Sequence, residues 1–390
     1  MKAIHSLSCL LAAAVLTLTG CDQGPCSCEP IKVPDQALLD ALLEPGLDEE
    51  GELQIIDSND DGLISFAEAE AITYLDVSDK GISDMTGIEK FINLEVLDCS
   101  KNQITKLNVT RSPALEILHC YNNRLIELDL SRNKDLKELD CDHNYLFSLD
   151  VSVNDSLKIL YCNYNLIPYL DVTHLDSLKR LNCKGNPLTA IDVSGNQALT
   201  NLICGSQKLT TLDVTQNPLL DTLSCPESGL SSLDVTNNPE LVFLDCDRNG
   251  ITDLDLSGNP MLTYLYCNEN QLTALDLSRN TRLETLYCIE NQLTGLDISA
   301  NLKLIDLFVT DNQLASLVIT DHLFLRHIYC SGNQLSNLDL SKCFSLWDLY
   351  VRDMPTLSEI CVWELPFPPE NILIDITGSP NIYFTDECTL

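Results

Sequence analysis

Residues 94–114 read LEVLDCSKNQITKLNVTRSPA, and at Leu115 the same pattern begins again. The unit opens Leu94-x-x-Leu97-x-Cys99-x-x-Asn102-x-Ile104, and the next supplies Leu115, Leu118, Cys120, Asn123 and Leu125. Stepping on by 21 residues reaches Cys141, Cys162, Cys183, Cys204, Cys225, Cys246, Cys267, Cys288 and Cys330, with Val309 filling one gap. A short fixed period held this long marks a solenoid, in which each unit buries its apolar side only by stacking on its neighbours. Function on such a body is sought on its faces.

Leu97, Cys99 and their equivalents alternate with polar positions, which is the spacing of a strand with one side buried. The Asn column recurs at Asn123, Asn144, Asn165, Asn186, Asn249, Asn270, Asn291, Asn312 and Asn333, lapsing at Gln207 and Ser228. A tight turn leaves peptide groups unpaired, and an amide at each turn can bond those of its own and the adjacent coil. The second half of each unit, as in Leu128-Asp129-Leu130-Ser131-Arg132-Asn133, is too short for a helix and predicts a brief extended segment.

From Ile72 to Val351 this pattern resembles the leucine-rich repeat family, L-x-x-L-x-L-x-x-N-x-L, with Cys in the third Leu slot. It is similar to the short bacterial subclass and to the cysteine-ladder repeats of internalins. The resemblance implies a β-rich α/β repeat fold: a curved right-handed solenoid with a parallel sheet on its concave face.

The formal charge of −35 argues against nucleic-acid binding, which needs a basic face. Part of that charge is a row of Asp129, Asp150, Asp171, Asp192, Asp213, Asp234, Asp255, Asp276, Asp297 and Asp339. Its plain reading is a solvated edge whose carboxylates bond nearby Ser, Thr or backbone groups. A row of bound cations is the sharper alternative. The ladder cysteines point inward as small hydrophobes and read as free thiols, since parallel Cβ vectors suit disulfides poorly. Cys361 and Cys388 lie beyond the ladder, and spacing leaves their pairing open.

Residues 1–20 read as a signal peptide: Lys2 and His5 precede an apolar run, Leu7 to Leu18, too short to span a bilayer. The run ends Leu18-Thr19-Gly20-Cys21, which resembles a bacterial lipobox and implies lipid on Cys21. The expected location is the cell envelope, at the outer membrane and surface-exposed; Asp22 leaves the inner membrane open. Residues 21–31 form a tether, and 32–71 a helical cap beginning Pro34-Asp35-Gln36-Ala37-Leu38.

Within that cap, Asp57-Ser58-Asn59-Asp60-Asp61-Gly62-Leu63-Ile64-Ser65-Phe66-Ala67-Glu68 satisfies D-x-[DN]-x-[DN]-G-x5-E of the EF-hand calcium loop. Asp57, Asn59 and Asp61 would donate side-chain oxygens and Leu63 its carbonyl. Ser65 would act directly or through water, Glu68 would bind bidentately, and Gly62 permits the sharp turn. One loop, with Gln54-Ile55-Ile56 before it in place of a long helix, predicts one structural calcium that fixes the cap to the first coil. The repeat solenoid spans 72–351. A C-terminal cap at 352–390 holds Pro366, Pro368 and Pro369, with short strands expected at Asn371 to Ile376 and Asn381 to Phe384.

The central sheet-face column runs Asp98, His119, Asp140, Tyr161, Asn182, Ile203, Ser224, Asp245, Tyr266, Tyr287, Phe308, Tyr329 and Tyr350. Its last five members are aromatic, and Phe243 and Tyr264 lie one strand position away. Such a row suggests a contact surface for a protein or glycan; a self-stacked ladder is the structural alternative. A metal-dependent hydrolase would need Asp98, His119, Asp140, Asp142 and His143, or Asp306, His327 and Asp348, neither with a positioned nucleophile. An inert spacer is the third reading. The expected protein is a non-enzymatic, monomeric, lipid-anchored binding module.

Overall fold

The computed structural model describes residues 29–48, 50–319 and 321–388. The signal peptide, Cys21 and most of the tether lie outside the described residues. Two compact units, Met1–Leu146 and Phe147–Leu390, divide the chain.

The first unit opens with helix α1 (Gln36–Leu43). Asp35 caps it, accepting from the backbone N–H of Ala37 and Leu38 at 2.9 and 3.1 Å. The other Asp35 oxygen accepts from Ser83 N–H and Oγ–H and from Asp84 N–H, tying the cap to the repeat. A hairpin, β1 (Gly46–Leu47) with β2 (Leu53–Gln54), stands where an EF-hand's entering helix would be. After helix α2 (Phe66–Glu70) come four parallel strands in register: β3 (Tyr74–Asp76), β4 (Val96–Asp98), β5 (Ile117–His119) and β6 (Glu138–Asp140).

The second unit is built from the same 21-residue coil. Its sheet comprises β7 (Ile159–Tyr161), β8 (Arg180–Asn182), β9 (Asn201–Ile203), β10 (Thr222–Ser224), β11 (Phe243–Asp245) and β12 (Tyr264–Tyr266). Then follow β13 (Thr285–Tyr287), β14 (Asp306–Phe308), β15 (His327–Tyr329), β17 (Asp348–Tyr350) and β19 (Leu373–Asp375). All pair parallel and in register. A second, three-stranded sheet joins β16 (Asn337–Asp339), β18 (Glu359–Cys361) and β20 (Tyr383–Thr385). Both parallel sheets thus extend into the segment read as a C-terminal cap. Cys361 and Cys388 there form a disulfide, with Cα atoms 5.5 Å apart.

The ladder cysteines are free and buried. Burial pushes the Cys183 and Cys288 thiols up to about 12, so they stay protonated and pack as hydrophobes. Asn123 shows how each turn is held: its amide donates to Cys99 and Cys120 carbonyls at 2.9 and 3.1 Å, and its oxygen accepts from Ile104 N–H at 2.9 Å. Where the column lapses, Ser228 Oγ accepts from Ser206 N–H at 3.1 Å. The second half of the unit makes no regular strand through most coils; it closes by turns such as Leu220 N–H to Asn217 carbonyl, 3.1 Å.

A second Asn column backs these turns. Asn217, Asn238, Asn259 and Asn280 are fully buried, each donating to carbonyls of the preceding coil, as Asn238 does to Val214 and Asn217 at 3.0 and 2.9 Å. His322 takes the same place through Nε2 and the Ile298 carbonyl, 3.0 Å.

Thiol counting is expected to find the ladder unreactive in the native state and to release its eleven members with Cys343 on denaturation. Inter-repeat disulfides in mass spectra would contradict this. A mid-ladder Cys225→Ser is expected to cost about 1–3 kcal/mol, because the new hydroxyl enters a packed apolar column.

Candidate functional site

Three groups of residues stand apart from the repeat's structural needs. The first is the row of rings on the second unit's sheet. Register places Tyr266, Tyr287, Phe308, Tyr329 and Tyr350 directly opposite one another on β12, β13, β14, β15 and β17. Successive ring centroids lie 5.0, 4.1, 4.2 and 4.2 Å apart, and the Tyr287–Phe308 pair is parallel within 10°. Phe243 extends the row, 5.5 Å from Tyr266 and 6.4 Å from Tyr264. All five central rings are half-buried against one another, the Tyr287–Phe308 pair face to face and the other three pairs tilted by 30–47°. Solvent therefore meets only part of each ring, and the row carries four hydroxyls. Burial, and after it the Asp348 carboxylate, pushes the Tyr329 phenol up to about 12, so it stays a neutral donor.

Acidic groups rim the row. Glu269, Glu290, Asp311 and Asp353 are exposed at positive-φ turn positions. Asp306 accepts from Thr285 Oγ1 at 3.0 Å and Asp245 from Ser224 Oγ at 2.9 Å. Sequence reasoning missed Trp347, 53% exposed, whose ring is covered by the Arg326 guanidinium at 4.7 Å. Its signal was a break in its own column, where other coils carry Thr263, Glu284 and Ile305.

The second group is the pair of histidine clusters. His119 lies between Glu138, 3.0 Å away, and Asp98, 3.8 Å away. Asp98 foremost, and Glu138, hold its pKa up to about 9. The ring is then a cation at neutral pH, unfit as a metal ligand or general base there. Burial pushes Asp140 up. His327 is likewise held between Asp348 (2.9 Å) and Asp306 (3.9 Å). Among the described residues, neither cluster brings together three ligand atoms close enough to share an ion. Because the folded pKa of His119 is raised, its contribution to stability is full below about pH 6.5 and lost as pH rises through about 9. Melting curves of His119→Asn should therefore lack the part of the wild-type decline that falls in this window.

The third group is the acidic loop of the cap. Asp57 accepts from the N–H groups of Asp61 and Gly62 at 3.2 and 2.9 Å, curling the loop, and Gly62 has φ +80°. One Glu68 oxygen accepts from Ser58 N–H and Oγ–H, the other from Ser65 N–H and Oγ–H, all at 2.8–2.9 Å. Ser65 also caps α2, so its hydroxyl is committed and would reach an ion through water. Burial raises Glu68, but these donors outweigh it and hold the carboxyl below its usual range. Asp57 and Glu68 are about nine-tenths buried, and neither they nor Asp61 forms an ion pair among the described residues. Buried carboxylates that have hydrogen-bond donors but no cationic partner, in a turn of this shape, fit a divalent cation. The loop's outgoing strand is paired: Ile31 N–H donates to Ile64 carbonyl at 2.8 Å and Phe66 N–H to Glu29 carbonyl at 3.1 Å.

The Asp row behaves as a set of local caps, each carboxylate accepting from the N–H two residues on, as Asp213 does from Thr215 at 2.9 Å. This agrees with the plain reading of the row. Among the described residues, no helix is long and apolar enough to cross a membrane.

No family model and no curated protein matches the chain. Solved structures do. The functional domain of InlJ from Listeria monocytogenes, which includes a cysteine ladder, is 33% identical over 77% of this chain and 70% of its own, with a TM-score of 0.69. A leucine-rich repeat protein from Leptospira interrogans (22%, 80% and 97%, TM-score 0.62) and YopM, an effector from Yersinia pestis (23%, 78% and 88%, TM-score 0.62), share the fold. Register, Asn ladder and these likenesses define a repeat solenoid built around a parallel sheet. The chain belongs to the leucine-rich repeat family, and within that family it is similar to the cysteine-ladder domain of InlJ.

Proposed function

We propose that the protein is a non-enzymatic binding module whose aromatic row engages a protein partner. One observation carries this: the rings occupy a column that elsewhere holds Asn182, Ile203 and Ser224 in the same strand geometry, so the fold does not require them. The rings pack on one another at 4.1–5.0 Å, which limits the flat face open to a ligand. That surface suits peptide groups and side chains better than a sugar seeking a flat ring. The acidic rim favours a neutral or basic partner. A pull-down with the wild-type chain, run beside a variant truncated in the row, tests the reading. Equal capture by both would overturn it.

A single calcium in the Asp57–Glu68 loop would be structural. Asp57, Asn59, Asp61, the Leu63 carbonyl and Glu68 would hold it, with Ser65 acting through water. The ion would neutralise the buried carboxylates.

Lipid anchoring at Cys21, which Leu18-Thr19-Gly20-Cys21 after the apolar run supports, would hold the module at the envelope, on the outer membrane facing outward or, given Asp22, on the inner membrane. Several acyl chains, at about 0.8 kcal/mol per buried methylene, make a stable anchor. Cys21→Ala is expected to abolish fatty-acid labelling and move the protein out of the membrane fraction. Labelling that survives the substitution would end this reading.

A further inference from the structure

The cations of the second unit are unevenly used. Arg248 is bound between Glu227 and Glu269 at 2.9 and 2.8 Å, and Arg352 pairs with Asp375. In the three coils of β7, β8 and β9 the situation is different. Lys158 and Lys179 precede β7 and β8 and are adjacent, since Lys179 N–H donates to the Lys158 carbonyl at 2.8 Å. Arg180 begins β8, Lys184 follows it, and Lys208 stands at the edge after β9. None of the five forms an ion pair among the described residues. The strand residues beside them, Ile159, Tyr161, Asn182, Asn201 and Ile203, include no acid.

The repeat supplies its own control. Positions equivalent to Lys179 hold Thr200, Asp221, Val242 and Thr263 in the same backbone, so packing does not demand a lysine there. Unpaired like charges on neighbouring strands repel one another. Of the ten cations of the second unit that form no ion pair among the described residues, five stand on these three adjacent coils, which in a chain of net charge −35 makes a local attractor for anions.

We propose that the coils of β7, β8 and β9 form a second docking surface, separate from the aromatic row, for a short acidic segment of a protein partner. The patch limits the length of its ligand. Its outer strands are about 10 Å apart, the reach of about three extended residues. Beyond it, the coils of β10 and β11 present Asp221, Glu227, Asp245 and Asp247, which repel a longer polyanion. The Asn182 and Asn201 amides stand in the strands between the cations, where they can bond a peptide main chain.

The test is fluorescence anisotropy on the full chain with a dye-labelled Glu-rich peptide and its Gln counterpart. The Glu peptide is expected to bind at least about tenfold tighter, and its affinity to fall as salt rises to about 0.3 M. Lys179→Glu with Arg180→Glu and Lys184→Glu should weaken binding at least about tenfold. The milder Lys179→Gln with Lys184→Gln should weaken it less. Tyr287→Ala with Tyr329→Ala should leave it unchanged. All substituted residues except Lys184 and the two tyrosines are exposed, and circular dichroism checks that each variant folds. Equal binding of the Gln peptide, wild-type affinity in the triple variant, or no binding at low salt would overturn the proposal. So would a single-stranded oligonucleotide or an anionic vesicle that binds tighter through the same three residues, since the surface would then serve a polyanion and not a peptide.

Discussion

Tyr287→Ala combined with Tyr329→Ala is expected to weaken partner binding by at least about a hundredfold. A truncated hot-spot residue costs about 2 kcal/mol or more, and two in one row sum to less than full additivity allows. The choice of positions matters. Phe308 lies between them, 4.1 Å from Tyr287 and 4.2 Å from Tyr329, so the pair removes every contact among the five central rings. Each lost contact also costs stability, about 0.5–1.5 kcal/mol beyond area burial. The melting temperature should therefore fall while far-ultraviolet circular dichroism stays native at 25 °C, because the Asn and Leu columns are untouched.

A second variant separates contact from support. Tyr287→Phe with Tyr329→Phe keeps the stack and deletes two hydroxyls. If the hydroxyls bind the partner, this variant loses affinity with little change in melting. A convex substitution such as Asp213→Asn should not weaken binding, since that carboxylate serves its own turn through Thr215. Should the Ala pair melt early and still bind normally, the row is a structural ladder and the proposed contact surface fails.

The period of Leu, Cys and Asn carried most of this fold, because a solenoid repeats one local solution and each repetition confirms the last. Other features were hidden for physical reasons. The buried Asn217–Asn238–Asn259 column sits in a segment that looks polar, and only the coil's closure shows that its amides face inward. Leu373–Asp375 lacks the Cys and the turn Asn, so the pattern ended at Val351 although the strand pairing continued. Pairing of Cys361 with Cys388 depends on where β18 and the chain's end meet. The aromatic row could be counted from sequence, but not the orientation of its rings. That orientation limits the flat face open to a ligand.

Removing calcium is expected to lower the stability of the cap and loosen the chain that leads to the tether. Binding to the native state alone adds about 2.7 kcal/mol at a hundredfold excess over the dissociation constant. Chelator should lower the wild-type melting curve accordingly, and Asp57→Asn should remove most of that response. Asp57 is the sharper test. Glu68 also caps α2 and accepts from Ser58 and Ser65, so Glu68→Ala weakens the apo state as well. The effect should be local before it is global. Ile31 and Glu29 pair with Ile64 and Phe66 on the loop's outgoing strand, so carboxylate repulsion in the empty loop acts on the strand that holds residues 29–31. Amide exchange at Ile31 and proteolysis near Glu29 should therefore quicken with chelator while the Cys-ladder amides keep their protection. A wild-type melting curve and an Ile31 exchange rate both indifferent to chelator would show that the buried carboxylates are stabilised by the Ser58, Ser65 and backbone donors alone.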